Sequence, residues 1–229
     1  LMCFDDLVAV DLSSNNIEDI SVFHEMDKLS LVWMNANRIS DLSPLAEKHH
    51  LGSLHIANNE ISNLIDFSDI SLYDLDASRN TISDISPLSN HHSMLMLNLS
   101  SNSIARIDAL SSMSELLILD ISSNNISDIN AVSVLDKLYD LDASKNTIND
   151  IRLLSNNYSL RMLNLSSNSI ADIDAFSTMS FLLVLDLSSN DISDIDAVVN
   201  LTNLQRLSLS NNHISDLKPL VFNNGLGEG

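Results

Sequence analysis

The chain has 229 residues, with 31 acidic side chains against 11 basic ones and a formal charge of −20. Such a surface opposes nucleic acid and anionic lipid, whose phosphates need Lys and Arg opposite them. A lone cysteine, Cys3, allows no internal disulfide, and no apolar run is long enough to span a bilayer, so no membrane insertion is expected.

Leu1 to Asp6, LMCFDD, reads as the tail of a preceding repeat, and the chain is expected to be a segment truncated at both ends. From Leu7 onward one pattern recurs ten times, most clearly in LYDLDASKNTINDI from Leu138. Its fixed member is an asparagine: Asn15, Asn37, Asn59, Asn80, Asn102, Asn124, Asn146, Asn168, Asn190 and Asn212. Eight of the nine intervals are 22 residues and one, Asn59 to Asn80, is 21. A sustained period of this length means a solenoid, here one domain over residues 1–229, in which each turn packs mainly on its neighbours. Hydrophobic content of 45% with 4% aromatic suits a core of stacked aliphatic layers.

Alternating apolar residues before each asparagine predict ten short strands, with Leu141 and Ala143 inward and Asp140 and Asp142 outward. The asparagine side chain both donates and accepts, so it can satisfy the backbone of the turn above it. An isoleucine two residues later, from Ile17 to Ile214, closes each layer. Four residues after the asparagine an aspartate stands in eight copies (Asp41 and Asp128 among them), and it is expected to N-cap one tight turn. Pro44, Pro87 and Pro219 fall in the first turn, where a missing N–H costs little. About eight residues remain for the outer side, which predicts 3-10 turns and extended segments instead of α-helices.

Residues 72–137 and 138–203 align without a gap and are identical at 46 of 66 positions, so three repeats were duplicated as a block. Repeat ten leads into Lys218-Pro219-Leu220 and the polar end NNGLGEG. Ends without polar caps would pair between molecules, so end-to-end self-association is expected if the ends are uncapped.

LTNLQRLSLSNNHISDLKPL, residues 201–220, resembles the repeat of the bacterial internalin family almost position for position. Leucine-rich regulatory subunits of type-1 protein phosphatase share the period. The resemblance implies a mainly β member of the α/β solenoids: a leucine-rich-repeat right-handed superhelix with a parallel concave β-sheet and short convex segments. It also implies a non-enzymatic protein binder, at the cell surface or secreted if internalin-like and cytoplasmic if a scaffold or phosphatase regulator. A structural spacer is the third reading, because a recent duplication can lengthen a rod without adding a site.

Function in such a fold is expected on the outward strand positions. One column includes Trp33, His55, Asp76, Asp120, Asp142 and Asp186, and the other Asp74, Met96, Asp140 and Met162. Apolar side chains beside charges suit a protein-binding surface, and Trp33 is its expected hot spot. Asp74, Asp76 and Arg79 recur as Asp140, Asp142 and Lys145, a polar patch for a partner with a basic patch. Because Asp120 and Asp142 meet at the block junction, at least one carboxyl there should titrate high. His49-His50 and His91-His92 read as outer loop residues. With four glycines, no phosphate loop and no isolated acid–base pair, neither cofactor nor catalytic residue is expected.

Overall fold

The computed structural model describes residues 6–223; Cys3 and the sequence Asn-Gly-Leu-Gly-Glu-Gly that ends the chain lie outside them. Each alternating run forms a three-residue strand: β1 (Ala9–Asp11), β2 (Leu31–Trp33), β3 (Ser53–His55), β4 (Asp74–Asp76), β5 (Met96–Asn98), β6 (Ile118–Asp120), β7 (Asp140–Asp142), β8 (Met162–Asn164), β9 (Val184–Asp186) and β10 (Arg206–Ser208). All ten pair in parallel in chain order, so every repeat contributes one strand to a single sheet. The middle residue of each strand points into the core, as Leu75, Leu119 and Leu163 do, and the residues on either side point out.

Beneath the sheet the ladder of asparagines joins one repeat to the next. Asn124 Nδ2 donates to the carbonyls of Ile121 and Ser122 in its own turn and of Leu99 in the preceding repeat, at 3.0–3.2 Å. Its Oδ1 accepts the Ile104 N–H at 3.0 Å. Nine asparagines, Asn37 to Asn212, donate back to the preceding repeat in this way. The turn itself is unusual for a chain so poor in glycine. The residue before every ladder asparagine adopts positive φ, among them Ala36 (56°), Arg79 (54°), Ser123 (55°) and Lys145 (54°). The left-handed region costs a side chain about 1–2 kcal/mol, and the hydrogen bonds of the asparagine next door offset it.

The outer side carries short 3-10 turns such as Ser43–Leu45, Asp108–Ser112 and Asp196–Asn200, closing on the single α-helical turn α1 (Lys218–Phe222). The expected capping aspartates sit one residue earlier than an N-cap. The cap position itself is the following Ile or Leu and has no side-chain bond. Each aspartate instead accepts the N–H two residues on, as Asp41 does from Ser43 (2.8 Å) and Asp128 from Asn130 (2.8 Å). These are Asx turns, which set the entry angle of the helical turn without serving its N2 or N3 donors. The shortened repeat has no helical turn; fully buried Phe67 fills the layer there.

His91 departs from the expected loop position. It is buried, and its Nε2 has no hydrogen-bond partner. Its counterpart in the duplicated block, Asn157, donates to the carbonyls of Val132 (2.9 Å) and Leu135 (3.4 Å) in the preceding repeat. His49 and His50 are exposed, as expected of loop residues.

Candidate functional site

The strand register lines the outward side chains into two rows across the sheet. One row runs Asp76, Asn98, Asp120, Asp142, Asn164, Asp186. The other runs Asp74, Met96, Ile118, Asp140, Met162, Val184. Between them the face of the sheet is hollowed into a groove of about 690 Å³ extending from His55 to Ser208. Met96, Ile118 and Met162 are exposed on its floor, beside exposed Tyr73, Leu117 and Tyr139 on the lip before the strands.

The acidic row has a structural job that the spacing alone did not reveal. Asp76, Asp120, Asp142 and Asp186 each accept the N–H of the serine two residues on through Oδ1, at 2.9–3.0 Å, and so turn the chain out of the strand. Asn98 and Asn164 make the same bond to Ser100 (3.0 Å) and Ser166 (3.1 Å). An amide therefore serves the turn as well as a carboxylate does. Where the row carries aspartate, the negative charge is surplus to folding.

Asp140 differs from the other groove carboxylates. Its backbone N–H donates to Leu117 O (3.1 Å), but its carboxylate makes no hydrogen bond or ion pair among the described residues. Burial, reinforced by the charges of Asp142 and Asp120, raises its carboxyl above the usual range. Asp142 holds the amide of Asn164 at 2.9 Å as well as the Ser144 N–H, and Asp120 holds the Ser122 N–H. The expected repulsion at the block junction thus falls on Asp140, the member with nothing to offset it. Lys145 supplies no counter-charge: it and Arg79 project from the exposed turns before the asparagines, outside the groove, and neither forms an ion pair among the described residues.

At the other end Trp33 is half-buried with its ring edge-on to His55, centroids 6.3 Å apart, and does not line the groove. His55 Nε2 lies 2.9 Å from Asp74 Oδ2, which also accepts Ser53 Oγ at 2.8 Å.

Comparison with known proteins places this architecture. An internalin, InlF from Listeria monocytogenes, is 30% identical over 93% of this chain and 70% of its own, with a TM-score of 0.76. The chain is a leucine-rich-repeat protein of internalin type. The leucine rich repeat family profile matches residues 158–214, and a second profile of that family matches 114–130. Internalin C2 of the same bacterium shares the fold at 24% identity, over 90% of this chain and 82% of that one (TM-score 0.71). So does the plant peptide hormone receptor RGFR1 in complex with RGF2, at 20% identity over 97% of this chain and 39% of that one (TM-score 0.83). No curated protein sequence matches this leucine-rich-repeat chain.

Within this leucine-rich-repeat face the Ser53–Asp74–His55 contacts do not make a nucleophile. The serine proton goes to the carboxylate and the imidazole meets the same oxygen, so no base addresses the hydroxyl, which is itself buried. Among the described residues no cluster of three or more His, Cys, Asp or Glu could hold a metal ion, and no helix is long and apolar enough to cross a membrane.

Proposed function

We propose that this chain is a non-enzymatic protein-binding segment, an internalin-like adhesin or receptor-binding module, and that its ligand sits in the groove on the outward face of the sheet. The observation that carries the reading is the surplus charge. Four aspartates stand where asparagine folds the turn equally well, next to a row of exposed Met and Ile side chains. A protein with a basic patch flanked by apolar residues complements that surface, with charge setting orientation and encounter rate and the apolar row supplying buried area. The likeness to InlF supports the assignment, and so does a receptor of the same fold held in complex with the ligand RGF2. Asp76, Asp120, Asp140, Asp142, Asp186, Met96 and Met162 are the contact residues of this proposal, with His55 and Asp74 at one end.

A displayed library of folded domains and peptides, selected on the immobilised chain, tests it. Recovered binders should be rich in Lys, Arg and large apolar residues, weaken as salt rises, and be lost on Asp142→Lys but kept on the outer-side variant Asp128→Lys. Binders indifferent to Asp142→Lys, or lost on Asp128→Lys, would place the binding surface elsewhere.

A further inference from the structure

Resting on that reading of the groove, we infer that its occupant is one amphipathic α-helix, laid along the stacking direction with a basic edge over the aspartate row and an apolar edge over Met96, Ile118 and Met162. Three features of the face lead to this. An extended segment gains main-chain hydrogen bonds from a sheet by adding a strand to a free edge, and among the described residues the edges of this sheet are β1 and β10, away from the groove's centre. Laid instead across the face, its carbonyls would meet acceptors, since carboxylates dominate the polar row. A helix arrives with its backbone already satisfied.

Spacing agrees. Neighbouring strands lie about 4.8 Å apart, close to the 5.4 Å per turn of a helix and far from the ~6.7 Å between same-face residues of an extended chain. A helix thus presents about one residue to each strand. The four aspartates occupy β4, β6, β7 and β9, intervals of two, one and two strands. Cations at i, i+7, i+11 and i+18 share one helical face and span about 27 Å, against about 24 Å for the row. Flexible Lys or Arg stems cover the difference. Width agrees too, because a three-residue strand is about 10 Å long and a helix with its side chains about 10–12 Å across. Asp140 stands in the apolar row between Ile118 and Met162, beside Asp142 and Asp120, with its carboxylate unpartnered, and is set to receive a further cation from the middle of that helix.

The test uses three synthetic peptides of equal length and equal net charge. The first is a helix with Arg at i, i+7, i+11 and i+18 and Leu and Met on the adjoining stripe. The second moves the four Arg residues to the opposite face, and the third interrupts the chain with Pro to keep it extended. Binding is measured by fluorescence anisotropy, and peptide helicity by circular dichroism. The first peptide should bind at least tenfold more tightly than the other two and gain helicity on binding. Asp120→Asn/Asp142→Asn should weaken it more than fivefold, with an unchanged protein spectrum because asparagine already serves this turn at two positions. Equal binding of all three peptides, or tighter binding of the extended one, overturns the helix while leaving the groove reading intact if the Asp120→Asn/Asp142→Asn variant still abolishes that binding. No binding by the first peptide overturns the helix outright, and the library selection then decides the groove separately.

Discussion

His91→Asn should stabilise the protein. In the native chain the imidazole is buried, Nε2 is unpartnered, and burial together with the neighbouring His92 charge depresses its pKa below the ordinary histidine value. Asn157 occupies the equivalent place 66 residues later and donates to two carbonyls, those of Val132 and Leu135. The shortened repeat beneath His91 keeps the equivalent turn bond, Ile70 N–H donating to Phe67 O (2.9 Å) as Leu135 N–H does to Val132 O (3.0 Å), so the carbonyls of Phe67 and Ile70 take the places of those of Val132 and Leu135. An asparagine there would gain two hydrogen bonds worth about 1 kcal/mol each, less the cost of an unpartnered amide oxygen like that of Asn157. The net expectation at pH 7.5 is about 1 kcal/mol, a rise in Tm of about 2–4 °C. The pH dependence gives a second handle. Because the folded pKa is lowered, the unfolded chain binds more protons between the folded pKa and about 6.5, so stability rises with pH across that window and is lost as pH falls through it. One proton limits the slope to about 1.4 kcal/mol per pH unit. Urea melts of wild type and His91→Asn at pH 7.5, 6.5 and 5.5 decide the matter, the variant's advantage growing toward pH 5.5. A constant difference across that range, or a destabilised variant at pH 7.5, would show that the buried imidazole is satisfied in solution.

Two further outcomes follow from the ladder and the junction. Asn124→Ala should cost about 1–3 kcal/mol, since it strips partners from Leu99, Ile121 and Ile104, whereas Ser123→Ala should cost under about 0.5 kcal/mol, because Ala36 holds the same backbone at φ 56°; equal melting shifts would remove the ladder's role. Asp140→Asn should raise stability near pH 7: a carboxyl with a raised folded pKa contributes stability below its unfolded pKa and loses it as pH rises through the folded one. The gain should vanish below about pH 3.8 and be smaller for Asp120→Asn; melts at pH 7 and pH 3 that show the same gain would refute it.

The parts of this fold legible in the sequence are those set by burial. Strands, layers, the asparagine ladder and the lack of room for outer helices all follow from which positions are apolar, and the core treats every repeat alike. Hydrogen bonding over two residues was not legible, because an aspartate reads the same whether it caps a helix, turns a strand or faces a ligand. Each repeat has places for two Asx turns, so part of the chain's acidity is structural and net charge alone says less about a partner than it suggested. The burial of His91 did leave a signal: its column holds Met113, Leu135, Met179 and Leu201, all buried, which marks position 91 as a core position carrying a polar side chain. The half-burial of Trp33 was not legible for a related reason. A unique aromatic stands out in a composition, but its exposure depends on the neighbouring strand, where His55 meets it edge-on.

The duplicated block shows how identical sequence acquires different chemistry. Asp74 and Asp140 are the same residue in the two copies, each opening an Asp-Leu-Asp strand. Asp74 pairs across to β3, whose Ser53 and His55 both reach its carboxylate. Asp140 pairs across to β6, which offers Ile118 directly opposite and Asp120 beside it. Copying the strand preserved the fold, since the inward leucine and the turn bond of the second aspartate depend only on the repeat itself. It did not preserve the environment of the first aspartate, which depends on whichever strand precedes the copy. One carboxylate is therefore held by two side chains and the other left unpartnered, half-buried and facing the groove. On the proposed reading, a ligand cation at Asp140 would find no equivalent at Asp74, which would give the groove a direction even though 46 of 66 residues repeat.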